Sequence, residues 1–299
     1  MPRKKKVTVG ITGAGGYLGG SLATRLRESG TDVIEYRRGA ATSASGSEVR
    51  ELSLGGEYPK GTFAGVTCLV HAAWDLKETN RRRNWEINVE GSKRLVAAAL
   101  AEGVARVVFV SSMSAYFRTK QEYGLAKLAV ERTVLEAHHV VVRPGLVYGR
   151  VPGGAPGGMS LALSRLARLP VIPVFRDAGL FTVHVDDVIA ALQTLVTARE
   201  VPSSVVGLAQ ATSTSFADIM SAIAKEVGGS TRMIPVPWHP LLLSLRVAET
   251  CGVTLPIRSD SLLGLIRSAE SVPGVDVARG LGLTFRPFPE GLHGSFDVS

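Results

Sequence analysis

Cysteine is almost missing from this chain: Cys68 and Cys251 are the only two among 299 residues. So far apart, they make neither a metal-ligand spacing nor a disulfide framework, and both are expected to be interior packing residues. No apolar run approaches the roughly 20 residues needed to cross a bilayer. Met1-Pro2-Arg3-Lys4-Lys5-Lys6 leads into a strand rather than a cleavable apolar segment. A cytoplasmic protein with no membrane partner is therefore expected. No internal repeat is visible, which argues against a solenoid. Basic residues are in excess, giving a net charge of +8, but no basic stretch is interleaved with aromatics and no nucleic-acid motif occurs. Nucleic acid is not an expected partner. Part of the excess lies in Arg3 to Lys6 and part in Arg81-Arg82-Arg83; the remainder suits an anionic ligand.

Glycine and β-branched residues, by contrast, are arranged to a purpose. Val7-Thr8-Val9-Gly10-Ile11-Thr12 reads as a strand and runs straight into Gly13-Ala14-Gly15-Gly16-Tyr17-Leu18-Gly19. In a dinucleotide-binding turn, Gly13 allows the tight strand-to-helix reversal. Gly16 lets the backbone approach a pyrophosphate, and Gly19 lets the new helix pack on the sheet. The free N–H groups of that helix then face the phosphates.

Downstream the pattern alternates. A helix is expected over residues 17–29 and a strand over 33–36. The stretch 39–65 is irregular, with a short strand near 49–52, and a buried strand follows over 66–70. A helix is expected from about 83 to 102, a strand at 107–110, a helix over 123–138 and a strand at 140–142. Such alternation implies right-handed βαβ crossovers, hence an α/β fold with a doubly wound parallel sheet, Rossmann-like. Residues 1–150 would form the dinucleotide-binding domain. Residues 151–299 would form a smaller, mostly helical substrate lobe, with about 175–215 returning to the first domain.

Tyr123 and Lys127 stand four apart on an expected helix, so both side chains leave one face. A nearby ammonium is expected to lower the phenol pKa from about 10 toward neutrality and make Tyr123 a general acid or base. Eleven residues before Tyr123, Ser111-Ser112 ends a strand, where a hydroxyl can hydrogen-bond a reacting carbonyl oxygen. Capping of the turn is the plainer role for those serines.

Taken together, these motifs resemble the extended short-chain dehydrogenase/reductase superfamily, also called the NAD-dependent epimerase/dehydratase family. The matching segments are Thr12 to Gly19, His71-Ala72-Ala73, Asn88-Val89-Glu90-Gly91, Ser111 to Tyr116, Tyr123 to Lys127, Arg143 to Gly149, Val183-His184-Val185-Asp186-Asp187 and Asp276 to Leu283. The resemblance implies Ser112, Tyr123 and Lys127 as the catalytic set. It implies cofactor contacts at Gly13, Gly16, Tyr17, Leu18, Gly19, Arg37, Arg38, His71, Ala72, Ala73, Asn88, Tyr123, Lys127 and Pro144. Trp74, Met113, Tyr148, Met159 and Phe181 would line the substrate pocket, with core packing as the competing role. Asn88 would support the active site. His184, Asp186 and Asp187 are taken as structural, and no metal is expected. Two departures bear on substrate: the span from Ser112 to Tyr123 is shorter than in the family's sugar epimerases, and Met113-Ser114 stands where its sugar dehydratases carry Asp-Glu.

An acidic residue at the end of the second strand would favour NAD by bonding its ribose. Arg37 stands there, followed by Arg38, and guanidinium groups suit a 2′-phosphate, so NADP is preferred over NAD. Glu35 is the competing residue, and strand alternation is expected to turn it away from the ribose side. The expected activity is NADPH-dependent reduction of a carbonyl, on a keto sugar nucleotide or another small ketone. Two alternatives stand beside it: a nucleotide-sugar epimerase with tightly held NAD, and a non-catalytic NADPH-binding sensor or assembly subunit. A homodimer is a family expectation.

Overall fold

The computed structural model describes residues 7–39, 48–150, 158–175, 179–229, 232–251, 253, 258–267 and 269–295, and of residues 158–161 the backbone only. In chain order, the first half contains β1 (Thr8–Thr12), α1 (Tyr17–Glu28), β2 (Asp32–Arg37), β3 (Glu48–Glu51), β4 (Cys68–His71) and α2 (Arg81–Trp85). A π-helical turn, Glu86–Glu90, joins α2 to α3 (Gly91–Ala101), followed by β5 (Arg106–Val110), α4 (Glu122–Glu136), β6 (Val140–Pro144) and β7 (Leu146–Tyr148).

The remaining elements are α5 (Gly158–Leu166), β8 (Val171–Val174), β9 (Gly179–Leu180), β10 (Thr182–His184), α6 (Val185–Thr197) and β11 (Val205–Leu208). After them come β12 (Thr214–Ser215), α7 (Phe216–Glu226), β13 (Arg232–Pro235), α8 (Trp238–Thr250), α9 (Ser259–Ile266) and α10 (Val275–Gly280).

Seven strands form one sheet in the order β11-β6-β5-β4-β1-β2-β3, with every neighbouring pair parallel. The fold is the doubly wound, Rossmann-like α/β sheet that the alternation implied. Its central strands β1, β4, β5 and β6 are buried on both faces, which is why they read as apolar, valine-rich runs rather than as alternating patterns. Val9, Ile11, Val70, Val108 and Val142 face α1 and α6, packing with Leu22, Leu26, Val188, Leu192 and Leu195. Leu69, Val107, Phe109 and Val141 face the other way, onto Leu95, Val96, Val130 and Val134 of α3 and α4. A separate apolar cluster, including Leu163, Ile172, Phe216, Ile219, Met220, Ile223, Leu242 and Leu262, holds the later helices and short strands together.

Strand order reverses between β1 and β4, the switch point where the carboxyl ends of such sheets leave a ligand crevice. The crevice is where Gly13, Ser112 and the start of α4 converge. Two open clefts at the opposite end of the sheet, around Arg27, Asp32 and Arg50 and around Arg106, His139 and Arg199, touch none of those residues.

Two expectations need correction. The helix expected to run unbroken from about 83 to 102 is interrupted by the π turn, which carries Asn88 and Val89 into the interior. A single π turn is too short to show in a pattern read over windows of several helical turns, so periodicity does not reveal it. Cys68 is buried as expected, but Cys251 lies exposed just past α8, whose buried face is made by Leu242 and Leu245.

Candidate functional site

The strand-to-helix turn has the geometry that its glycines anticipate. Gly13 has a φ of 73°, left-handed backbone that few side chains adopt, and a Cβ on Gly19 would stand 2.4 Å from the Gly13 carbonyl oxygen. A Cβ on Gly15 would meet nothing within 4 Å, so this side of the turn opens to solvent. Helix α1 begins at Gly16 with no side-chain cap and no acidic residue in its first turn. Its uncapped N–H groups and positive dipole end therefore fit an anionic pyrophosphate. Tyr17 turns its hydroxyl to the Gly149 carbonyl at 2.7 Å, while Leu18 is half-buried against the α1 side of the core.

Beside this turn a buried polar chain fixes the segment after β4. His71 is fully buried, with Nδ1 2.8 Å from Thr12 Oγ1 and Nε2 2.8 Å from Ser92 Oγ. Ser92 donates its own proton to the Asn88 carbonyl, so it must accept from His71, which assigns the proton to Nε2 and makes Nδ1 the acceptor of the Thr12 hydroxyl. Burial, with the nearby Lys127 charge, pushes the His71 pKa down to about 3. Asn88, also fully buried, accepts from Asp75 N at 2.7 Å and donates to Asp75 O at 2.9 Å. Both residues were expected as cofactor contacts, and Asn88 also as a support of the active site. Enclosed as they are, they instead hold the turn Ala72-Ala73-Trp74-Asp75 in place, and half-buried Ala72 and Ala73 form its approachable edge.

At the next strand, Ser112 is partly accessible; its Oγ accepts from Ser114 N at 3.1 Å, and its hydroxyl lies near enough to the Tyr123 phenol to act on its pKa. Lys127, 3% exposed, donates from Nζ to the Val110 carbonyl at 2.9 Å. The ammonium also lies 3.7 Å from the Trp74 ring centre, 4.8 Å from Phe109 and 5.7 Å from Tyr123, and Trp74 meets Tyr123 edge-on at 5.9 Å. Ser112, Tyr123, Lys127 and Trp74 thus form one cluster.

Its electrostatics differ from the expectation of a phenol tuned toward neutrality. Burial raises the Tyr123 pKa to about 12, opposed by the Ser112 hydrogen bond. Burial also lowers that of Lys127 to about 7, opposed by the Glu131 charge. In an aromatic pocket, desolvation of each charged form outweighs these opposing interactions.

Glu131 had not been anticipated, although its spacing of four from Lys127 places it on the same helix face. It is 2% exposed, accepts from Ser111 Oγ, and takes a bidentate pair from Arg143, Nε at 2.9 Å and Nη2 at 2.5 Å. Ser111 is therefore committed to this pair, and Ser112 is the serine that faces Tyr123.

At the ribose end, Glu35 and Arg37 share a face of β2, as residues two apart must. Glu35 is fully buried between Arg27 and Arg37, and Arg37 Nε lies 2.8 Å from Glu35 Oε2. Glu35, expected to turn away from the ribose side, is thus enclosed between two arginines. Arg38 is the more open of the two arginines, its side chain 68% exposed and 3.7 Å from Asp75.

Of the residues expected to line a substrate pocket, Trp74 alone joins the Ser112 cluster. Met113 and Phe181 pack with Ala209 and Val272 in a small apolar cluster, and Met113 N donates to the buried Pro144 carbonyl at 3.0 Å. Tyr148 is 3% exposed and donates to the Glu290 carbonyl at 2.8 Å, so it packs rather than lines. The Met159 side chain lies outside the described residues. His184 accepts from Asp186 N at 3.2 Å and Asp187 pairs with Arg286; among the described residues no side-chain group could hold a metal ion. No helix among them is long and apolar enough to cross a membrane.

Comparison with known proteins bears on this cluster. The chain is 27% identical over 224 residues to an uncharacterized protein of Mycobacterium tuberculosis, a match covering 73% of this chain and 23% of that protein. The chain thus spans about a quarter of the length of its mycobacterial relatives. Over 126 residues it is 32% identical to short-chain dehydrogenase/reductase family 42E member 1 of Xenopus laevis, covering 38% of this chain and 32% of the other. The solved structure of MoeE5 in complex with UDP-glucose and NAD superposes with a TM-score of 0.69 at 24% identity, covering 95% of this chain and 96% of the other. The profile of the NAD dependent epimerase/dehydratase family matches residues 9–207, well over half the chain. It spans the glycine turn, the His71–Asn88 support and the Ser112–Tyr123–Lys127 cluster, and the protein belongs to that family.

Proposed function

We propose that the protein is an NADPH-dependent reductase of a carbonyl compound, a keto sugar nucleotide or another small ketone, acting in the cytoplasm. The observation that carries this reading is geometric: Tyr123, Lys127 and Trp74 gather at the end of the strand that bears Ser112, on the crevice side of the sheet with the glycine turn. Tyr123, its pKa raised by burial, holds its proton at neutral pH and can pass it to a carbonyl oxygen on which negative charge develops. Ser112, beside that phenol, would orient the carbonyl oxygen. Once the proton has moved to the new alcohol, Lys127, 5.7 Å away, stabilises the phenolate until solvent restores the proton. A bound reduced nicotinamide supplies the hydride.

The glycine turn at Gly13, Gly16 and Gly19 would hold the pyrophosphate, with Tyr17, Leu18, Ala72, Ala73 and Pro144 around the cofactor. The fit at the ribose end supports NADP, because β2 ends in Arg37 and Arg38 with no acidic residue after them, and Arg38 is exposed. Residues 1–150 would be the cofactor domain and 151–299 the substrate lobe, apart from about 175–215. Trp74 would border the substrate, and two copies would associate.

Titration of purified protein with NADPH and NADH, followed by nicotinamide fluorescence, tests this directly, with a denatured aliquot assayed for released nucleotide. Tight NADPH binding to an empty protein, followed by turnover in a ketone screen that Tyr123→Phe abolishes without weakening NADPH binding, is the expected result. Co-purified NAD would point instead to epimerisation of a nucleotide sugar. NADPH binding with no turnover would point to a sensor or assembly subunit.

A further inference from the structure

The helix that carries Tyr123 has no cap of its own. Gln121 occupies the N-cap position of α4 in extended backbone, yet its side chain makes no capping bond; Nε2 donates instead to the Arg267 carbonyl at 3.2 Å. The vacant place is filled from far along the chain. Asp260, in the first turn of α9, accepts from Glu122 N at 2.8 Å and from Tyr123 N at 3.3 Å. Helix α9 is itself held by a carboxylate, since Glu249 near the end of α8 accepts from Ser259 N and Ser259 Oγ, each at 2.7 Å.

We infer that Asp260 is a positioning residue for Tyr123, a carboxylate of the later helices that seats the first turn of α4 so that the phenol meets the Ser112 hydroxyl. Residues in the first turn of a helix lack intrahelical partners for their N–H groups, and a carboxylate there satisfies both the hydrogen bonds and the positive end of the dipole. Tyr123 lies in that turn. Lys127 lies one turn further in, with Nζ fixed on Val110 O. Loss of the cap therefore frays the part of α4 that bears the proton donor and leaves the lysine in place.

This inference rests on Tyr123 being the proton donor, and its test separates the two. In the full chain, Asp260→Ala is expected to speed amide exchange at Glu122 and Tyr123 about ten-fold, read residue by residue by NMR, with Val130 and Val134 unchanged. Asp260→Asn, whose amide oxygen can still accept, is expected to stay within about two-fold of wild type. In the ketone assay, Asp260→Ala lowers kcat about ten-fold while the Kd for NADPH holds, and Asp260→Asn restores kcat. Unchanged exchange at Glu122 and Tyr123 in the alanine variant overturns the inference, as does equal loss of kcat in the alanine and asparagine variants. A wild-type protein that binds NADPH but reduces no ketone, while the alanine variant still shows the exchange signature, removes the reductase reading and keeps Asp260 as the cap that seats Tyr123.

Discussion

His71 should make this protein sensitive to acid in a way that can be assigned to one ring. Both its nitrogens are used inside the protein, and the network admits one neutral tautomer: Nε2 donates to Ser92 and Nδ1 accepts from Thr12. Protonation places a second donor opposite the Thr12 hydroxyl and buries a charge near Lys127. The folded-state pKa is lowered from 6.5 to about 3. The sign follows from proton uptake. Between those values the unfolded chain binds a proton that the folded chain refuses, so stability falls as pH falls from 6.5 toward 3. At about 1.4 kcal/mol per pKa unit, the full shift corresponds to roughly 5 kcal/mol, a large share of a typical 5–15 kcal/mol. Urea denaturation of wild type and His71→Gln across pH 4 to 7 measures it, because carboxylate contributions cancel in the difference. The gap between the two proteins should narrow by about 1.4 kcal/mol for each pH unit below 6.5. A constant gap, or nitrogen NMR showing His71 titrating near its ordinary value or protonated at Nδ1, would refute the reasoning.

Two further outcomes are expected. Removing either partner of the buried Glu131–Arg143 pair strands a charge and should cost about 3–5 kcal/mol in denaturant titrations, whereas Glu131→Leu with Arg143→Met should cost less than either single change; additive losses would deny the coupling. Lys127→Met removes a base whose folded pKa is lowered to about 7 from 10.5. Wild-type stability should therefore rise with pH between those values while the variant's does not, and parallel pH profiles would count against a desolvated lysine.

Much of the fold was legible from local pattern. The valine runs of β1, β4, β5 and β6 and the amphipathic helices between them are set by residues close in sequence, so alternation alone led to the parallel sheet. The glycine turn was legible for the same reason, since the close approach of Gly19 to Gly13 involves six residues of chain. Tyr123 and Lys127 on one helix face follow from helical spacing, as Glu131 does in retrospect. The strands β11 and β13, short and flanked by turns, carried too little pattern to be picked out.

The chain thus determined by itself the alternating elements of its first half, the glycine turn and the placing of Tyr123 and Lys127 on one helix face, because each depends on neighbours within a turn or a strand, while Ser112 was named by the family resemblance. Tertiary structure alone decided which polar groups are enclosed and what charge they hold. His71 became a support rather than a contact, Glu35 was drawn between Arg27 and Arg37, Tyr148 turned inward, and Asp260 reached the start of α4 from 137 residues away. Those outcomes depend on desolvation and on partners brought together by packing, and neither is encoded in the spacing of residues along the chain.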